Sequence, residues 1–151
     1  MAIKGCIGVF HVATPVDFES KEPEEVVVQR AIDGTLGILK ACLNSMTVKR
    51  VVYTSSGAAV VFNDSDVDTM DESYWTDVEH VKALKSFAGP YFISKTLTEK
   101  RALEFADEHG FDLVSIIPSF INGPFICSKF PGSVHTSLAM VLGKFCSVCS
   151  S

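Results

Sequence analysis

From Ile7 to Ala13 the chain is apolar apart from His11, and the run stops at Thr14-Pro15. A short apolar stretch closed by a proline, which pushes its predecessor out of helical geometry, predicts a buried strand over 7–13. After Pro23 the period changes. Val28, Ile32, Leu36 (or Thr35), Leu39 and Leu43 recur at helical spacing behind Glu24 and Glu25, whose charges suit a helix N-terminus. Asn44-Ser45 breaks that helix. Val51-Val52-Tyr53-Thr54 is a second strand-like run, and 112–117, closed by Pro118, is a third. Between them, 63–71 is polar and irregular, and a short helix is expected over about 76–85. A longer helix starts with Pro90 in its first turn and stops at Gly110, a candidate left-handed cap. Strands alternating with helices predict a parallel sheet with crossover helices.

Open sheets of this kind bind ligands beyond the carboxyl ends of their strands, which is where Ser55-Ser56-Gly57 falls. In the long helix, Tyr91 and Lys95 are four residues apart and share one face. An ammonium beside a phenol stabilises the phenolate, as a tyrosine acting as general acid or base requires. Ile93 and Leu97 lie roughly opposite, so packing on their side is expected to leave the Tyr91–Lys95 pair presented on the other. The bland alternatives stand beside this reading: Ser56 as a turn residue, and Tyr91 with Lys95 as a solvated surface pair. Taken together, Ser56, Tyr91 and Lys95 suit carbonyl reduction. A hydride would arrive at carbon, Tyr91 would protonate the developing alkoxide, Ser56 would hydrogen-bond the same oxygen, and Lys95 would hold a cofactor ribose.

Composition narrows the partners. The 151 residues fit one domain, and 47% apolar with 21% charged residues describes a globular chain. A net charge of −5 with unclustered Lys and Arg argues against a nucleic-acid or acidic-lipid surface, which leaves a small molecule. Five cysteines without a regular framework suggest reduced thiols and a cytoplasmic location. Cys146-x-x-Cys149 lacks a second ligand pair, so no metal is expected. No run reaches the roughly 18 apolar residues of a membrane span, because Lys144 interrupts the one candidate.

Five segments together resemble the plant dihydroflavonol 4-reductase and vestitone reductase family, which belongs to the extended short-chain dehydrogenases. They are Val9-Phe10-His11-Val12-Ala13-Thr14-Pro15, Val51-Val52-Tyr53-Thr54-Ser55-Ser56, Asp71-Glu72-Ser73, Tyr91-Phe92-Ile93-Ser94-Lys95-Thr96-Leu97 and Ile116-Ile117-Pro118. The resemblance runs from about Ala2 to Gly143. It implies a Rossmann-like fold, NADPH as cofactor, and a flavonoid or isoflavonoid carbonyl as small-molecule substrate. It also implies catalytic roles for Ser56, Tyr91 and Lys95. Cofactor contacts are implied at Val12, Ala13, Thr14, Tyr91, Lys95, Pro118, Ile121 and Ser133. Substrate contacts are implied at Ser56, Tyr91 and Val61, the last standing where dihydroflavonol reductases carry an Asn. Cinnamoyl-CoA reductases are less similar around Gly89-Pro90-Tyr91-Phe92.

The chain departs from the family in having no glycine-rich loop to cradle a pyrophosphate, and Gly34-x-x-Gly37 falls within a helical pattern. The expected fold is therefore a partial Rossmann-like, doubly wound parallel sheet lacking the N-terminal glycine-rich βαβ unit and the C-terminal substrate region. Residues 1–143 would be the central part of an NAD(P)-binding reductase domain, and 144–151 a divergent tail. Two functions compete: a reductase, or a catalytically silent truncated product without cofactor binding of its own. A bare apolar edge at 7–13 further predicts self-association.

Overall fold

The computed structural model describes residues 3–15, 22–63, 65, 67–86, 88–129 and 131–143. In chain order the elements are β1 (Gly8–His11), α1 (Glu24–Ser45), β2 (Arg50–Thr54), a 3-10 turn (Gly57–Ala59), α2 (Val78–Leu84), α3 (Gly89–His109), β3 (Leu113–Ile116) and α4 (Gly132–Val141). The chain divides into two compact units, Met1–Ile117 and Pro118–Ser151. The tail 144–151, with Cys146 and Cys149, lies outside the described residues.

In the first unit the strands form one parallel sheet in the order β1-β2-β3. Gly8 pairs with Arg50 and His11 with Tyr53; Val51 pairs with Leu113 and Thr54 with Ile116. Side chains alternate between the sheet's faces. One face packs on α1 and α3, with Leu39 and Cys42 of α1, Val51 of β2, and Ala102 and Phe105 of α3 forming the core. A second cluster joins Val28 of α1, Val81 of α2 and Ile93 of α3. On the other face Phe10, Val52 and Val114 form a row in register, and Phe10 is 78% exposed. This is a partial Rossmann-like α/β arrangement, with helices on one face of the sheet among the described residues.

Local chemistry sets the boundaries. α1 carries Glu24 and Glu25 in its first turn and ends at Met46, which takes the left-handed conformation at φ 57°. Asp77 caps α2 by accepting from the backbone N–H groups of Glu79 and His80. α3 has Pro90 in its first turn and stops at Gly110, with φ 59°, a geometry that glycine adopts without a Cβ clash.

Three expectations need correction. The strand expected over 7–13 covers only Gly8–His11, because its pairing with β2 stops at His11 and Tyr53; Val12 and Ala13 are exposed beyond it. The helix expected over 76–85 is the shorter Val78–Leu84. Along α1 the expected series is fully buried at Val28, Thr35 and Leu39 but only half-buried at Ile32 and Leu43; of the two alternatives Leu36 and Thr35, it is Thr35, its hydroxyl bonded to buried His11 at 3.1 Å, that faces inward.

The second unit holds α4, entered through extended Pro131 and without a fully buried residue. The Ser133 hydroxyl donates to the Ile121 carbonyl oxygen at 2.8 Å, which ties the start of α4 to the loop before it.

Candidate active site

The ends of β1 and β2 meet the first half of α3. The Lys95 ammonium donates to the Thr54 carbonyl oxygen at 2.9 Å and stands 5.5 Å above the centre of the Tyr53 ring, within cation–π range. His11, at the end of β1, lies against the same ring with centroids 5.6 Å apart. Tyr91 is one helical turn before Lys95. Ser56 follows β2 in extended conformation and caps the 3-10 turn, its hydroxyl oxygen accepting from Ala58 N–H at 3.2 Å.

Lys95 corrects the expectation of a pair presented to solvent: it is 4% exposed. Ile93 is buried as expected, but so are Ser94, Thr96, Thr98 and Glu99, because α3 packs against α1, α2 and the strand ends on several sides at once. Polar residues serve here because their groups find partners, as when the Thr96 hydroxyl donates to the Phe92 carbonyl at 2.8 Å. Two buried hydroxyls, those of Tyr53 and Thr98, have no hydrogen-bond partner among the described residues.

Burial governs the electrostatics. Desolvation lowers the Lys95 pKa from that of a free lysine, and the nearby Glu99 carboxylate opposes that shift. His11 is also lowered, first by burial and then by the Lys95 charge, so its ring is held neutral. Tyr53 is raised well above the ordinary phenol value by burial, and further by Glu99 and Tyr91.

Glu99 went unrecognised in the sequence. Its carboxylate accepts from the hydroxyls of Ser55, just beyond β2, and of Ser115 on β3. Tyr91, Lys95 and Glu99 recur at four-residue intervals, so the signal was present as a helix face carrying three ionisable groups. His11 was visible as the polar break in an apolar strand, but its bond to Thr35 joins segments 24 residues apart.

The structure thus brings Ser56, Tyr91 and Lys95 to one end of the first unit. Val12, Ala13 and Thr14 follow β1 at that same end of the sheet, with Val12 67% exposed. Val61, half exposed, follows the 3-10 turn, its N–H on the Gly57 carbonyl. Pro118, Ile121 and Ser133 belong to the second unit, where Ser133 and Ile121 are bonded to each other.

Among the described residues, no helix is long and apolar enough to cross a membrane. Residues 1–142 match the 3-beta hydroxysteroid dehydrogenase/isomerase family. The chain is 54% identical to vestitone reductase from Medicago sativa over 143 residues, covering 95% of this chain and 44% of that protein. It is 48% identical to dihydroflavonol 4-reductase from Zea mays, covering 95% and 40%. The crystal structure of the alfalfa vestitone reductase superposes with a TM-score of 0.81 at 50% identity, over 91% of this chain and 42% of that one. The yeast methylglyoxal/isovaleraldehyde reductase solved with NADPH gives a TM-score of 0.68 at 31% identity, covering 81% and 38%. The chain therefore spans less than half the length of these relatives. With its family motifs in order, and with a fold that superposes on that of vestitone reductase, the chain belongs to the 3-beta hydroxysteroid dehydrogenase/isomerase family and is similar to vestitone and dihydroflavonol 4-reductases.

Proposed function

We propose that this chain carries the catalytic centre of an NADPH-dependent reductase that converts a flavonoid or isoflavonoid-type carbonyl to an alcohol. The observation that carries the reading is the Lys95 ammonium, buried and fixed on the end of β2 one turn from Tyr91 and two residues from Ser56 along the strand end. Burying an ammonium is costly. A solvated helix face does not do it, and a proton-transfer site has a use for it.

The residues fit the ribose and nicotinamide end of a dinucleotide. An ammonium has three N–H donors, and among the described residues Lys95 uses one of them on Thr54. Val12, Ala13 and Thr14 leave β1 at the carboxyl end of the sheet, where such ligands bind. In the proposed assignment Lys95 holds the ribose and Val12, Ala13 and Thr14 flank the cofactor; Pro118, Ile121 and Ser133 are assigned to the cofactor from the family resemblance alone. Bound NADPH would supply the hydride. Tyr91 supplies the proton, the positive charge of Lys95 favours its release, and Ser56 orients the carbonyl oxygen. Val61 is assigned to the substrate. Residues 1–143 would then be the central part of the reductase domain, in a cytoplasmic protein with reduced thiols.

The alternative reading is a catalytically silent product without cofactor binding of its own. Titration of reduced-nicotinamide fluorescence with the 151-residue chain, followed by turnover assays on flavonoid carbonyls, separates the two. Binding and NADPH-dependent reduction support the enzyme. Absence of both supports the silent product.

A further inference from the structure

We infer that Glu99 is a positioning residue, pinning α3 to the ends of β2 and β3 through Ser55 and Ser115 and so fixing Lys95 on the Thr54 carbonyl. The inference rests on Lys95 being the working ammonium of the proposed reductase site.

Glu99 is 2% exposed, and an uncompensated carboxylate at such a position would be strongly destabilising. Here both oxygens accept: Oε2 from the Ser55 hydroxyl and Oε1 from the Ser115 hydroxyl. The two serines are themselves on joined strand ends. Ser115 is in register with Tyr53, and Ser55 N–H donates to the Ile116 carbonyl at 2.8 Å. One helical turn of α3 thereby grips three consecutive residues at the end of β2. Lys95 lies over the Tyr53 ring and bonds the Thr54 carbonyl, while Glu99 takes the Ser55 hydroxyl. Ser56 comes next in the chain, so the same grip sets the helix that carries Tyr91 against the strand end that carries Ser56.

The clamp also has a sign. The groups around the Lys95 ammonium are His11 from β1, Tyr53 from β2, and Tyr91 and Glu99 from α3. His11 is held neutral by burial, and Tyr53 by its raised pKa. Glu99 is the group that raises the Lys95 pKa against desolvation. It holds the ammonium in place and favours its charged form.

The test reads Lys95 itself in the 151-residue chain, with no cofactor or carbonyl present, so its outcome is independent of whether the chain turns over. With isotope-labelled lysine, and the Lys95 signal assigned through Lys95→Arg, its side-chain Cε resonance is followed across alkaline pH. Glu99→Gln keeps the volume and removes the charge; the Lys95 midpoint is expected to fall by about one pH unit. Thr98→Ala removes a buried hydroxyl on the same helix that bonds nothing among the described residues, and is expected to leave the midpoint in place. An unchanged midpoint in Glu99→Gln, or an equal change in Thr98→Ala, overturns the inference. If Glu99→Gln does not fold, Ser115→Ala keeps the charge and removes one donor. A displaced Lys95 resonance then supports the clamp, and a parental resonance with a parental midpoint overturns it.

Discussion

Lys95 reaches from the second turn of α3 to the Thr54 carbonyl oxygen, 2.9 Å away and 41 residues earlier in the chain. That bond ties the helix carrying Tyr91 to the end of β2, and Ser56 follows two residues beyond the bonded carbonyl.

The first prediction separates proton transfer from binding. In an active form of the enzyme, Tyr91→Phe removes only the transferable proton and should lower turnover by roughly 10²–10⁴-fold with cofactor affinity nearly unchanged. Lys95→Ala should damage both, since Lys95 is assigned to the ribose as well as to Tyr91. Steady-state kinetics with a parallel fluorescence titration decides it. Near-parental turnover in Tyr91→Phe would send the search for the proton donor elsewhere.

The core gives the second. Leu39 is 0% exposed and packs with Cys42, Val51, Ala102 and Phe105 where α1, β2 and α3 meet. Leu39→Ala should cost about 2–5 kcal/mol, the sum of lost burial and the cavity left behind. Denaturant titration would show the loss as an earlier midpoint at unchanged slope.

The third concerns the end of α1. Met46 holds a left-handed conformation that glycine adopts more readily, and its side chain is 90% exposed. Met46→Gly should therefore stabilise the chain by up to about 1 kcal/mol, since relief of the backbone costs no packing. A lower thermal midpoint in the variant would contradict this.

What the sequence made legible was local. Val51-Val52-Tyr53-Thr54 announces β2, and Pro90 with Gly110 brackets α3, because these signals act within a few residues. The first strand was drawn too long because Val12 and Ala13 are apolar but have no strand partner, and pairing is not a local property. The burial of Lys95 was illegible for a related reason. Ser94, Thr96, Thr98 and Glu99 look like a wet face until Ser55 and Ser115, 44 and 16 residues away, supply donors for the Glu99 carboxylate. The candidate trio Ser56, Tyr91 and Lys95 was readable from spacing and position. Its support by Glu99 and the neighbouring His11 was not.

The fourth prediction is association. Parallel sheets are ordinarily covered on both faces, yet Phe10, Val52 and Val114 form an apolar row on the face away from α1 and α3, and among the described residues β1 is an edge strand. Such surfaces pair with other chains. The 151-residue chain should elute from size-exclusion columns as more than a monomer and bind an apolar-surface dye. Phe10→Lys, at the exposed edge, should shift it toward the monomer. A monodisperse, cooperatively unfolding parental monomer would rule this out.

The last prediction follows from His11. Its ring is buried, bonded to Thr35 at 3.1 Å, and lies near the Lys95 charge. Burial and that charge both disfavour the imidazolium, so the folded pKa lies below that of an unfolded histidine, about 6.5. Between the two values the unfolded chain holds a proton that the folded chain does not. The contribution to stability is therefore complete above about pH 6.5 and declines as pH falls through the folded pKa. Thermal melts should show the midpoint dropping as pH is lowered from about 8 to about 5. His11→Gln cannot take up that proton; it should start from a lower midpoint, because the Thr35 bond is altered, but lose less of it on acidification. Equal losses in parent and variant would mean that acid sensitivity arises at other groups and that His11 is not held neutral by its site.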